Sequence, residues 1–234
     1  MHAFSALVCF VWGQLMVTAV NSCCIDIPSF SGPNDAFVIG GPGKVDYVDG
    51  ALVMTLLPPN DGGDTGLSVI GTSSISLLYG TVEAVIQQST SAGVVTYLTL
   101  INQTTKDEID FEWIGNERQT VWTNFFYRGL RERDPVTLNE IWSSQVSTGS
   151  DDNSEIAHTY KIQWTPDFIS WSVDGTIVHW QDKNDSPMTV NVGIWNDQDV
   201  VWANGPIDWK DPTTANGFSA KVLSLKVWCG VDLE

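Results

Sequence analysis

The chain has 234 residues, a formal charge of −17 and 43% hydrophobic residues, 11 Trp among them. Disorder is excluded by that apolar content. So acidic a balance, with only 11 Lys and Arg, excludes nucleic acid and anionic membranes as partners, because both need a basic patch.

The length suits one all-β domain. Residues 1–22 open Met1-His2-Ala3-Phe4-Ser5 and carry an apolar segment from Leu7 to Val20. It is too short to cross a bilayer comfortably and reads as a secretory signal peptide, cut near Ala19 or Ser22. No other segment is long and apolar enough to be a transmembrane span. Cys9 would leave with the signal, and Cys23, Cys24 and Cys229 remain. In an oxidising compartment, a disulfide is expected from Cys229 to Cys23 or Cys24. A loop of that length gives at most roughly 5 kcal/mol in the chain-entropy picture. No metal site is expected, since His158 and His179 stand apart from the cysteines and no CxxC or HxxH spacing occurs.

Strands are expected at 36–40 and 51–56, with the Gly-Gly-Pro-Gly stretch at 40–43 between them a turn. It lacks the following Lys-Ser/Thr of a phosphate loop. Further strands are expected at 67–70, 74–78, 81–88, 94–102, 107–114 and 121–127. Residues 128–157 are polar and irregular, and Arg128, Arg131, Glu132, Arg133 and Asp134 read as a solvated charged loop. Alternation resumes at 159–164 and 168–173. Asp174-Gly175 is a hairpin turn leading to 176–180, and strands at 188–195 and 218–228 close the chain. At least ten short strands and no amphipathic helix give an all-β sandwich or jelly roll.

Within this frame, Asp107-Glu108-Ile109-Asp110-Phe111-Glu112-Trp113 stands out. Alternate residues of a strand share a face, so Glu108, Asp110 and Glu112 line one surface while Ile109, Phe111 and Trp113 point to the other. Three like charges on one face repel, and paired carboxylates are the working parts of glycoside chemistry: one protonates the leaving oxygen, the other acts at the anomeric carbon. Crowding raises at least one of their pKa values. The residues alone do not say which Glu does which. A sugar site also needs aromatic platforms. Trp113, Trp122, Phe125, Phe126, Trp195, Trp202 and Trp209 are candidates, Trp195 foremost because it opens the polar loop Asn196-Asp197-Gln198-Asp199.

Glu108-Ile109-Asp110-Phe111-Glu112 resembles the Glu-x-Asp-x-Glu signature of glycoside hydrolase family 16. The likeness extends to Tyr79–Ala84, Thr123–Phe126, Tyr160–Gly175 and Gly193-Ile194-Trp195. Asp107–Gly115 and Gly205–Trp209 are most similar to the fungal Crh-type cell-wall proteins. The resemblance implies that residues 23–234 form one catalytic domain, a concave jelly roll with a sugar cleft. It implies retaining double displacement, with Glu108 as nucleophile, Glu112 as general acid/base and Asp110 assisting the nucleophile. Asn124, Phe126 and Trp195 would contact sugar, with Trp113 and Trp202 as further substrate-binding candidates. The implied activity cleaves chitin and transfers the fragment to β-glucan or chitin. The alternatives are a secreted endo-β-1,3(4)-glucanase and a non-catalytic carbohydrate-binding jelly roll. No cofactor is required, a structural calcium is allowed, and a monomer is expected. The last residues, Val231-Asp232-Leu233-Glu234, carry no apolar tail of a lipid-anchor signal, so the expectation is a protein secreted to the medium or the cell wall. Asn102 and Asn184 stand in glycosylation sequons.

Overall fold

The computed structural model describes residues 22–131, 144–181, 186–196 and 201–230. Four expectations therefore lie wholly or largely outside the described residues: the signal segment with Cys9, the charges Glu132, Arg133 and Asp134, the Asn184 sequon, and the loop 197–199.

In chain order the strands are β1 (Ser22–Ile27), β2 (Phe37–Gly40), β3 (Lys44–Val48), β4 (Ala51–Leu56), β5 (Val69–Leu77), β6 (Gly80–Gln87), β7 (Val94–Ile101) and β8 (Glu108–Ile114). They continue as β9 (Thr120–Tyr127), β10 (Leu130–Arg131), β11 (Ser144–Ser147), β12 (His158–Trp164), β13 (Ile169–Val173), β14 (Thr176–Gln181), β15 (Met188–Asn196) and β16 (Phe218–Cys229). The only helical turns among the described residues are short 3-10 pieces at Val201–Ala203 and Pro212–Thr214. The first sheet runs β14-β13-β12-β6-β16-β4-β3, with β1 also on β16; the second runs β10-β9-β8-β7-β15-β5-β2, with β11 also on β9. Neighbouring strands pair antiparallel, as in β7 with β8 and β8 with β9. The expected all-β sandwich of two antiparallel sheets is what forms.

Alternation decides which side chains enter the core. Along β6, Val82, Ala84 and Ile86 are fully buried; along β12, so are Tyr160, Ile162 and Trp164. Facing them from the second sheet are Ile109, Phe111 and Trp113 of β8. The Trp113 ring meets Tyr160 edge-on at 4.5 Å and stacks on Phe111 at 5.8 Å. Full burial of one such side chain stabilises by roughly 1.5–3 kcal/mol. Trp113 is thus corrected from substrate platform to core residue: it is 0% exposed, and its odd register on β8 turns it away from the carboxylates. Phe125 likewise packs against the core. Trp209 is held by its indole N–H, which donates to Asp64 O at 2.9 Å, and by Phe218 at 5.9 Å.

The Asp174-Gly175 hairpin forms as predicted, with φ of 49° and 81°, both left-handed as a two-residue type I′ turn demands. The region read as irregular contains β10 and β11, which cap the edge of β9. Cys24, of the two candidates, bonds Cys229, while Cys23 is free and exposed. Asn102 is engaged as a loop clamp. Its Oδ1 accepts from the Thr104 and Thr105 amides at 2.9 and 3.0 Å, and its Nδ2 donates to Pro187 O at 2.8 Å. No helix among the described residues is long and apolar enough to cross a membrane. No group of three or more His, Cys, Asp or Glu there is placed to hold a metal ion.

Candidate active site

The outer face of the second sheet carries the even-numbered residues of β8. Strand register then dictates what surrounds them. Glu108 pairs with Ile101 and Phe126, Asp110 with Thr99 and Asn124, and Glu112 with Tyr97 and Trp122. β15 continues these rows, Asn191 opposite Thr99 and Gly193 opposite Tyr97. The carboxylates therefore sit in three parallel rows that cross the strands. Over the β5, β15, β7 and β8 part of this face lies a cavity of about 230 Å³ lined by all three carboxylates, with Ile70, Tyr97, Thr99, Asn191 and Trp195.

The three acids are not equivalent. Asp110 is 2% exposed. Burial, and after it the charges of Glu108 and Glu112, hold its carboxyl well above the usual carboxylate range. Of the three, Asp110 is the acid whose surroundings most favour the protonated form. Glu108 is half-buried. Burial raises its pKa, while hydrogen bonds from Asp110 and Thr99 and the Lys106 charge pull it back down; Thr99 Oγ1 lies 3.5 Å from Glu108 Oε1. Glu112 accepts a 2.6 Å hydrogen bond from Asn124 Nδ2. One strand thus presents a buried acid, its pKa raised, between two half-exposed carboxyls, each with its own donor. Tyr97, beside them, is pushed up by burial first and by the three carboxylates after it, so its hydroxyl keeps its proton. Its ring covers β15, where a Cβ at Gly193 would lie 2.3 Å from the Tyr97 oxygen.

Two anchors fix this strand. At its start Asp107, 2% exposed, accepts from Thr105 Oγ1 at 2.6 Å, from the Arg128 amide at 2.7 Å and from Ser186 Oγ. At its middle the indole N–H of Trp171, from the opposite sheet, donates to the Asp110 carbonyl at 2.8 Å.

Of the expected sugar contacts, Asn124 and Phe126 lie on the carboxylate face, as their register with Asp110 and Glu108 requires. Trp195 lines the cavity. Trp202, 40% exposed, stands 6.4 Å from the Trp195 ring. Trp122 shares the Glu112 row and packs with Trp195 against a small apolar cluster of Val95, Ile114 and Ala203. Its N–H donates to Glu117 Oε2 at 2.7 Å, a carboxylate that also takes Gln145 and Asn204. Tyr97, Thr99, Asn191 and Glu117 escaped the sequence reading. The one available signal was a polar residue inside an apolar run, Thr99 in 94–102 and Asn191 in 188–195.

A comparison with family profiles matches residues 34–211 to "Glycosyl hydrolases family 16". Among curated proteins the chain is 30% identical over 207 residues to Congo red hypersensitive protein 2 of Saccharomyces cerevisiae, covering 79% of this chain and 41% of that one. Among solved structures, an apo Crh5 transglycosylase is similar with a TM-score of 0.71 at 22% identity, over 92% of this chain and 86% of that one. A Bacillus licheniformis β-glucanase is similar with a TM-score of 0.70 at 19% identity, over 91% of this chain and 100% of that one. At such identities these two share the fold. The chain spans about two fifths of the length of the curated relatives it matches.

Proposed function

The chain belongs to the family 16 glycosyl hydrolases, and from that premise we propose that it is a retaining transglycosylase that cleaves chitin and passes the fragment to β-glucan or chitin in a fungal cell wall. The observation that supports the reading is the carboxylate row itself: Glu108, Asp110 and Glu112 line one cavity, burial holds the Asp110 carboxyl above its usual range, and Glu108 and Glu112 each have a separate donor. A double displacement needs such inequality, one carboxyl ionised to attack and one able to give a proton. Glu108 attacks the anomeric carbon and Glu112 protonates the departing oxygen, so the glycosidic bond breaks as an ester to Glu108 forms. Glu112, now ionised, then takes the proton from an acceptor hydroxyl whose oxygen displaces Glu108. Asp110 donates to Glu108 throughout, steadying its charge before attack and after release. The curated relatives are fungal proteins, several of them named Crh-like, which supports this setting. Secretion and the sugar contacts of Asn124, Phe126, Trp195 and Trp202 are parts of the same proposal.

The test is a product profile from chito-oligosaccharide with and without a fluorescent laminari-oligosaccharide acceptor. Transfer predicts labelled products longer than the acceptor, absent in Glu108→Gln. Shortened products alone, or turnover of β-glucan with chitin untouched, would make it a hydrolase of the same fold. Binding without turnover in the unaltered chain would make it a carbohydrate-binding module.

A further inference from the structure

Asn191 ends a polar row that crosses the sheet, Asn191–Thr99–Asp110–Asn124, each residue in register with the next. The two asparagines that flank Asp110 in this row are treated differently. Asn124 gives its Nδ2 to Glu112. The Asn191 side chain is 5% exposed, and its Oδ1 is fully covered and without a hydrogen bond. A buried amide left unpaired costs free energy that an apolar side chain of the same size would not. Val190 and Val192, its neighbours along β15, point to the opposite face and fill the core. Asn191 faces the other way and lines the cavity that holds the carboxylates, with Tyr97 and Trp195.

We propose that Asn191 is a further substrate-binding residue: its carboxamide holds the sugar unit that lies over β7 and β15, donating to a hydroxyl or acetamido oxygen of the polysaccharide. The inference rests on the reading of this cleft as a polysaccharide site. Trp195, four residues along the same face of β15, offers the ring plane that the apolar side of a sugar needs, and Asn191 supplies the polar handle beside it. The last torsion of an asparagine is soft and two-fold, so the amide turns to present either donor or acceptor. One side chain then matches both the hydroxyl and the acetamido group of a β-linked N-acetylhexosamine unit.

The experiment measures binding of chitotetraose and laminaritetraose by calorimetry to the full chain carrying Glu108→Gln, alone and with Asn191→Ala. Loss of one neutral hydrogen bond weakens binding by about 2- to 12-fold. That loss is expected for the oligosaccharide that Glu108→Gln binds. A second variant, Asn191→Leu in the unaltered chain, is expected to keep or raise the thermal midpoint. Equal affinity with and without Asn191→Ala overturns the inference and leaves the proposed function intact. A fall of several degrees in Asn191→Leu also overturns it, because the carboxamide would then serve the fold. If Glu108→Gln binds neither oligosaccharide, the proposed function fails and the inference with it.

Discussion

Asp110 gives the sharpest test of how this site works. It is buried, its carboxyl is held well above the usual range, and its hydrogen bond lowers the pKa of Glu108. Asp110→Ala leaves Glu108 without that donor. A hydrogen bond to a charged acceptor contributes about 1.5–3 kcal/mol, so kcat/KM should fall about 10- to 150-fold. The acid limb of the pH profile should move to higher pH, because the nucleophile must be ionised and has lost the bond that favours ionisation. Asp110→Asn keeps an N–H donor at the same place and should lose less, with a smaller movement of the limb. Stability should respond in the opposite sense. A carboxyl whose folded pKa is raised favours the fold below its unfolded value of 3.8 and loses that contribution as pH rises toward the folded value. Asp110→Asn escapes this loss. Its thermal midpoint should match that of the parent in acid and exceed it at neutral pH. Steady-state rates across pH and melting scans at both ends read these out. If Asp110→Asn is as slow as Asp110→Ala and gains no neutral-pH stability, the working form of Asp110 is the ionised one and the argument from its burial is wrong.

Glu112→Gln should lower kcat by about 10²–10⁴-fold and abolish the alkaline limb of the profile; turnover within threefold of the parent would remove it as the proton donor. Trp171→Phe deletes the donor to the Asp110 carbonyl and should cost about 1–3 kcal/mol in urea melts, with no loss if that contact is incidental. Cys24→Ser opens a closure of 205 residues and should cost roughly 2–5 kcal/mol. Cys23→Ser should be silent in the same assay, and the reverse ranking would show that the other thiol is the bonded one.

The period-2 pattern of 107–113 was enough to place three carboxylates on one face, because strand geometry is local. The same parity argument condemns Trp113 and Phe125 as platforms, and aromatic content alone had kept them as candidates. What could not be read was register between strands. Thr99 becomes a site residue through its register with Asp110 in the neighbouring β7–β8 pair, and Asn191 only because β15 aligns with β7 across some 90 residues of chain. β3 and β11 escaped because they are short edge pieces between turn residues, stabilised by the strand beside them more than by their own propensity. The choice between Cys23 and Cys24 likewise follows from where β1 meets β16, Cys23 lying opposite Trp228 with an irregularity just after it.

β16 bears on how the chain reaches this state. Its 12 residues pair with β4, β6 and β1, so the strand at the centre of the first sheet is also the last of that sheet's strands in chain order. Until it arrives, β6 lacks one partner and β4 shows an open edge. Loop-closure entropy must be met before such distant contacts give anything back, which makes folding slow and leaves unpaired edges available to other chains. The carboxylate face is assembled from β7, β8, β9 and β15, but its floor rests on a layer that cannot close until residues 218–229 dock. Activity should therefore appear only once β16 has emerged and docked, together with protection of the Cys24–Cys229 pair from alkylation.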